Sequence, residues 1–222
     1  MQGGEVYEVS LDTNSTSFLF EGHGYGELHA IGFSPTDSDK FATAGDDGSV
    51  KIWSLKNKKC IKRTNISSAI RALAWYPDGS ALIIGIGGDP KNSSKDGAFC
   101  KIDLDSLDIV YEERKAKKFI ADIKFGVGSF VIFSSDGCAY IHDSQNFSLI
   151  KKIEIPSKVS AGITRADLSF DFKYIRMSTS NQEVYYYNVT GEMINSPIQI
   201  RNTQWDTHNC IYSWTIKGLY LI

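Results

Sequence analysis

Residues 22–53 read GHGYGELHAIGFSPTDSDKFATAGDDGSVKIW, and the reading of this stretch decides the fold because its pattern returns along the chain. Within it, LHAIGF and KFATAG are short runs of β-favouring residues parted by the turn SPTDSD, and the tight turn DDG leads into a third run, SVKIW. Such lengths suit strands, and no 3.6-residue apolar stripe runs through them, so the stretch predicts three strands of one antiparallel sheet. Four residues stand at marked places: His23 at the opening, Thr43 on the second strand, Asp47 in the tight turn and Trp53 at the close of the third strand.

Working outward, GGEVYEVSL lines up on DGSVKIWSL, which puts Val9 where Trp53 stands, and SFLFE follows as a fourth, outer strand. On the other side the basic turn SLKNKK precedes the outer strand CIKRT, and IRALAWYPDGSALIIGIGG opens the next copy. Phe33 and Trp75 are equivalent positions, as are Phe125 and Leu168. The longer step between Trp75 and Phe125 is accounted for by the polar insertion GDPKNSSKDG, which reads as an exposed loop before AFCKIDL. The expected units are a partial copy at 1–21, complete four-stranded copies at about 22–64, 65–113, 114–155 and 156–197, and a partial copy at 198–222 that supplies two more strands.

Repeats of this length built from short strands predict an all-β chain, four-stranded blades set around an axis in a β-propeller, as a single array over 1–222. Runs such as ALIIGIG and FVIF are apolar throughout because each blade buries both faces against its neighbours. With 42% hydrophobic residues, 12% aromatics and 19 glycines the composition suits such a turn-rich fold. The formal charge of −2 offers no general attraction to nucleic acid or to an anionic membrane. No apolar run approaches a transmembrane length and the start MQGGEVYEVS does not read as a signal peptide, so an intracellular location is expected.

The Gly-His opening, the Thr, the turn Asp and the strand-closing Trp resemble a WD repeat, and in that pattern His23, Thr43, Asp47 and Trp53 form a hydrogen-bonded chain from indole N–H through hydroxyl and imidazole to carboxylate. Buried indole and imidazole N–H groups both need partners, and this order of residues supplies them. EGHGYGELHAIGFSP, FATAGDDGSVKIW, RALAWYPDGSALIIG, GITRADLSFDFKYI and the ending TQWDTHNCIYSWTIKGLYL together resemble the echinoderm microtubule-associated protein-like family. That resemblance implies a non-enzymatic interaction module that binds tubulin, microtubules or other cytoskeletal proteins, in a cytoplasmic, cytoskeletal or ciliary setting. It also implies a longer ring, normally of seven blades, of which this chain would be an open arc rather than a small ring closed by pairing of residues 5–11 with residues 203–221. The later copies depart from the pattern, with Ile102, His142 and Tyr187 at the Trp53 position.

GxSxG, P-loop, GxGxxG-after-strand and HExxH patterns are missing, so no cofactor, metal or small-molecule substrate is expected. An enzyme with a site on the propeller axis or top face is the competing class, and His23 beside Asp47 can separately be read as a base; a generic WD-repeat scaffold for a non-tubulin complex is another. His29, His142 and His208 lack a Cys or carboxylate at ligand spacing. Cys60, Cys100, Cys138 and Cys210 read as free buried thiols, with disulfides or a metal site as alternatives. Two basic clusters are the candidate partner contacts: Lys56, Lys58 and Lys59 in a turn between third and fourth strands, and Arg114, Lys115, Lys117 and Lys118 between blades. An acidic partner could meet either, with attraction that salt weakens.

Overall fold

A computed structural model of the protein describes residues 4–89, 92–156 and 161–211, in two compact units over Met1–Glu113 and Arg114–Ile222. The first unit begins with a two-stranded sheet, β1 (Glu5–Ser10) and β2 (Ser15–Glu21), then a four-stranded sheet of β3 (Leu28–Phe33), β4 (Lys40–Gly45), β5 (Ser49–Ser54) and β6 (Lys59–Asn65) in sequence order. A second four-stranded sheet holds β7 (Ile70–Trp75), β8 (Ala81–Ile86), β9 (Ala98–Asp103) and β10 (Ile109–Arg114). Strands pair with their neighbours in the chain, antiparallel from β3 through β6 and from β7 through β9, as hairpin connections allow.

These two sheets share one core, in which Val50, Ile52, Ile70, Leu82, Ile84, Ile86 and Ile102 are buried. Strand β8, ALIIGI, is buried at all six positions, the signature of a strand covered on both faces. Gly32 permits the close approach of β3 to β7: a Cβ there would lie 2.9 Å from Leu73 Cδ2, and its carbonyl accepts the Trp75 indole N–H at 2.8 Å. The turn glycine Gly48 has φ +70, a left-handed conformation that the DDG turn requires and a side chain would strain.

The second unit has a four-stranded sheet of β11 (Ile120–Gly126), β12 (Ser129–Ser134), β13 (Cys138–Asp143) and β14 (Leu149–Glu154), and a three-stranded sheet of β15 (Ile163–Leu168), β16 (Tyr174–Thr179) and β17 (Val184–Asn188). Their shared core includes Phe133, Ile141, Ile153, Ile163, Leu168, Ile175 and Met177. Where a fourth outer strand is expected at 156–197, Met193 makes only an isolated bridge to Tyr187. In the final copy residues 197–200 form a 3-10 helix and Trp205 bridges Ser169, while residues 212–222, on which the two expected strands and the test of ring closure partly fall, lie outside the described residues. No helix among the described residues is long and apolar enough to cross a membrane.

Candidate functional site

The structure brings His23, Thr43, Asp47 and Trp53 together in the first four-stranded sheet. Trp53 Nε1–H donates to Thr43 Oγ1 at 2.7 Å, Thr43 Oγ1 meets His23 Nε2 at 2.8 Å, and His23 Nδ1 meets Asp47 Oδ1 at 3.0 Å. Because Thr43 already accepts the indole proton, its own hydroxyl proton goes to Nε2, which leaves the His23 proton on Nδ1 facing the carboxylate. Asp47 also accepts Gly24 N–H at 3.0 Å, Ser49 N–H at 3.0 Å and the Ser49 hydroxyl at 2.8 Å. Both ring nitrogens of His23 are thereby occupied, and neither lies open as a base toward a substrate.

Burial works against the Asp47 charge, but His23, the Gly24 and Ser49 N–H groups and the Ser49 hydroxyl outweigh it and hold the carboxyl down to about 2. A carboxyl depressed on folding adds stability that is present above its unfolded value near 4 and is lost as pH falls through the folded value. Denaturation midpoints taken between about pH 6 and pH 2 are therefore expected to fall more steeply for the parent than for Asp47→Asn, the gap closing from about pH 4 downward. Parallel curves would show that Asp47 has no such role.

Register places equivalent residues against one another in each sheet of three or four strands: Phe41 opposite Trp53, Leu82 opposite Ile102, Phe130 opposite His142 and Ile175 opposite Tyr187. His142 is fully buried, stacks on Phe130 at 5.3 Å as Trp53 stacks on Phe41 at 6.1 Å, and shares a hydrogen bond of 2.8 Å between Nδ1 and the Phe147 carbonyl. The turn carboxylates are reused as well. Asp96 accepts Gly88 N–H at 2.9 Å, and Asp136 accepts Lys117 N–H at 2.7 Å and the Tyr140 hydroxyl at 2.8 Å.

The Lys117 N–H bond to Asp136 ties down the backbone of the second basic cluster. Arg114 ends β10, Ala116 is buried, and Lys115, Lys117 and Lys118 are exposed around it. The first cluster is divided: Lys56 and Lys58 stay exposed in the β5–β6 turn, where Lys56 N–H meets Asp39 and Lys58 takes φ +51, while Lys59 enters β6 and lines a groove. Among the described residues no group of three His, Cys, Asp or Glu side chains converges as a metal site. All four cysteines are free; Cys100, Cys138 and Cys210 are buried, and Cys60, expected to be buried, is partly exposed at the sheet edge.

Sequence reasoning missed a buried charge network in the second unit. Arg176 Nε donates to Asp167 Oδ2 at 2.8 Å with the two side chains 1% and 0% exposed, and its guanidinium lies 4.4 Å from the centroid of the Trp205 ring. Asp167 further accepts the Thr207 hydroxyl and the N–H groups of Asn209 and Cys210, while Arg176 donates to the Thr207 carbonyl. Burial opposes the Asp167 charge, yet these donors hold its pKa below the usual range. The signal was the density of hydrogen-bonding residues in TQWDTHNC, which by itself names no partner.

Repeated antiparallel sheets, with the Trp-Thr-His-Asp chain on one of them, define a WD-repeat β-propeller protein. The chain belongs to the family described as echinoderm microtubule-associated protein second β-propeller, which matches residues 28–221. Among curated relatives it is similar to echinoderm microtubule-associated protein-like 2 of Rattus norvegicus, 24% identical over 208 residues, covering 92% of this chain and 30% of the relative. It is also similar to ciliary WD repeat-containing protein ctxp80 of Euplotoides octocarinatus, 24% identical over 99% of this chain and 34% of the relative. The chain thus spans about a third of the length of these relatives.

Proposed function

We propose that this chain is a non-enzymatic WD-repeat interaction module that binds tubulin or microtubules within a cytoskeletal or ciliary assembly of the cytoplasm. The family match over residues 28–221 carries the reading, and the relatives' names, microtubule-associated and ciliary, supply the class of partner. His23 speaks against the enzymatic alternative, since the side chain best placed to act as a base has both nitrogens engaged inside the sheet. His23, Thr43, Asp47 and Trp53 then serve as a structural anchor. The basic run Arg114 to Lys118, with its backbone tied to Asp136, is the contact assigned to an acidic partner.

Co-sedimentation with microtubules, set beside pull-down of soluble tubulin dimer, tests the proposal. Binding is expected in at least one format and is expected to weaken with added salt, because exposed charges are screened beyond about 8 Å at physiological ionic strength. Changing Lys115, Lys117 and Lys118 together to Glu is expected to weaken it and flatten its salt dependence. Unchanged binding of that variant at low salt would reduce the run to solvated surface, and failure in both formats would remove tubulin as partner.

A further inference from the structure

We propose a second interaction surface, unrelated to the basic run: a cationic groove between β2 and β6 that takes an extended acidic peptide carrying apolar residues. The groove has a volume of about 570 Å³, and its walls are Phe18, Leu19 and Glu21 from β2, residues 59–63 from β6, and Lys51 from β5. Lys51, Lys59 and Arg63 stand there with the single carboxylate Glu21, and Lys62 lines the groove while its ammonium is turned away from it. Arg63 pairs with Glu21 at 2.9 Å, and Lys62 reaches the Leu104 carbonyl and lies 3.9 Å from Asp105. Among the described residues neither Lys51 nor Lys59 has a carboxylate partner.

Lys51 is the unusual member. It is buried, and its ammonium donates to the Glu21 and Gly22 carbonyls rather than to an anion. A buried cation satisfied only by neutral dipoles leaves uncompensated positive potential at the groove floor, which a carboxylate arriving from solution would offset. The apolar side chains Phe18, Leu19 and Ile61 are exposed on the walls and accept hydrophobic residues of the same ligand. β6 is also the end strand of its sheet, and β2 comes alongside without pairing to it, so among the described residues that edge has no partner strand and an extended chain can meet it. Charge selects the sign, apolar walls select a peptide over a simple anion, and the edge selects an extended conformation.

The test uses the full 222-residue chain and no tubulin, so its outcome is independent of the microtubule reading. Fluorescence anisotropy of a dye-labelled peptide of alternating Glu and Val is measured at low salt and at about 0.15 M, where the Debye length is about 8 Å. A matched Lys-Val peptide, inorganic polyphosphate and phosphatidylserine vesicles serve as comparisons. The Glu-Val peptide is expected to bind and the Lys-Val peptide not to. The exposed pair Lys59→Glu and Arg63→Gln, with its melting curve checked against the parent, is expected to weaken binding at least about tenfold, as loss of complementary charge at an interface does. Cys60 lies inside the groove and is the one cysteine that is not buried, so bound peptide is also expected to slow its alkylation by a maleimide. Parent-like binding by the folded double variant would overturn the proposal, and so would peptide binding that leaves Cys60 alkylation unchanged. Polyphosphate or vesicles binding as tightly through the same two residues would overturn it too, by showing an unselective polyanion patch.

Discussion

Replacing Arg176 by Ala is expected to cost about 3–5 kcal/mol of stability, the range for removing one partner of a buried ion pair. The side chain is fully buried, so the substitution strands the Asp167 carboxylate beside Thr207, Asn209 and Cys210 without its counter-charge and also opens a void under the Trp205 ring. Asp167→Asn is expected to be milder, because an amide oxygen still accepts some of those donors. Combining Asp167→Asn with Arg176→Met is expected to recover part of the loss, since two neutral groups carry a smaller desolvation cost than one orphaned charge. Chemical denaturation followed by tryptophan fluorescence checks all three. A shift below about 1 kcal/mol for Arg176→Ala would mean that water reaches the pair and that the burial is illusory.

Trp53→Ala is expected to cost about 2–3 kcal/mol, less than the roughly 3–5 kcal/mol typical of a fully buried large aromatic. Trp53 is only half-buried, with one face stacked on Phe41 at an interplanar angle of 12°. Trp53→Phe separates the contributions: it keeps an aromatic on Phe41 but removes the N–H that Thr43 accepts, at an expected cost of about 1 kcal/mol. Thr43→Val breaks the chain at its centre and leaves His23 Nε2 without its donor. A double-mutant cycle between Trp53→Phe and Thr43→Val is expected to show coupling of about 0.5 kcal/mol or more, as residues joined in one hydrogen-bond chain do. Strict additivity would show that Trp53 contributes by packing alone, and a melting curve barely moved by Trp53→Ala would show that the stack carries little.

Strand positions and tight turns in residues 22–53 were legible in the sequence because each is a local rule, whereas the four-residue set, whose members lie 10 to 24 positions apart along its contacts, was implied by the resemblance to a WD repeat. Period-2 apolar runs, an Asp-Gly turn with positive φ at Gly48, and a Trp at the end of a third strand all lie within a few residues of what they determine. The same locality explains why the register equivalents Trp53, Ile102, His142 and Tyr187 align in the sheets as they do in the repeat. The outer strand expected at the end of 156–197 was not settled that way: an outer strand has one paired side and little burial, so its short pattern constrains the chain weakly, and only the Met193 bridge forms.

What the sequence by itself determined is therefore the repeat and most of its strands and turns, with the four-residue set marked by its resemblance to a WD repeat. Only the tertiary structure decided which distant groups meet. Arg176 finds Asp167 across a strand pair and Trp205 and Thr207 from the end of the chain; Lys117 owes its place to a carboxylate nineteen positions away at Asp136; Lys59 parts from Lys56 and Lys58 to face Lys51, Phe18 and Glu21. Charges and hydrogen-bonding groups carry no period that reveals their partners, and a buried pair becomes visible only when the sheets that bury it have packed.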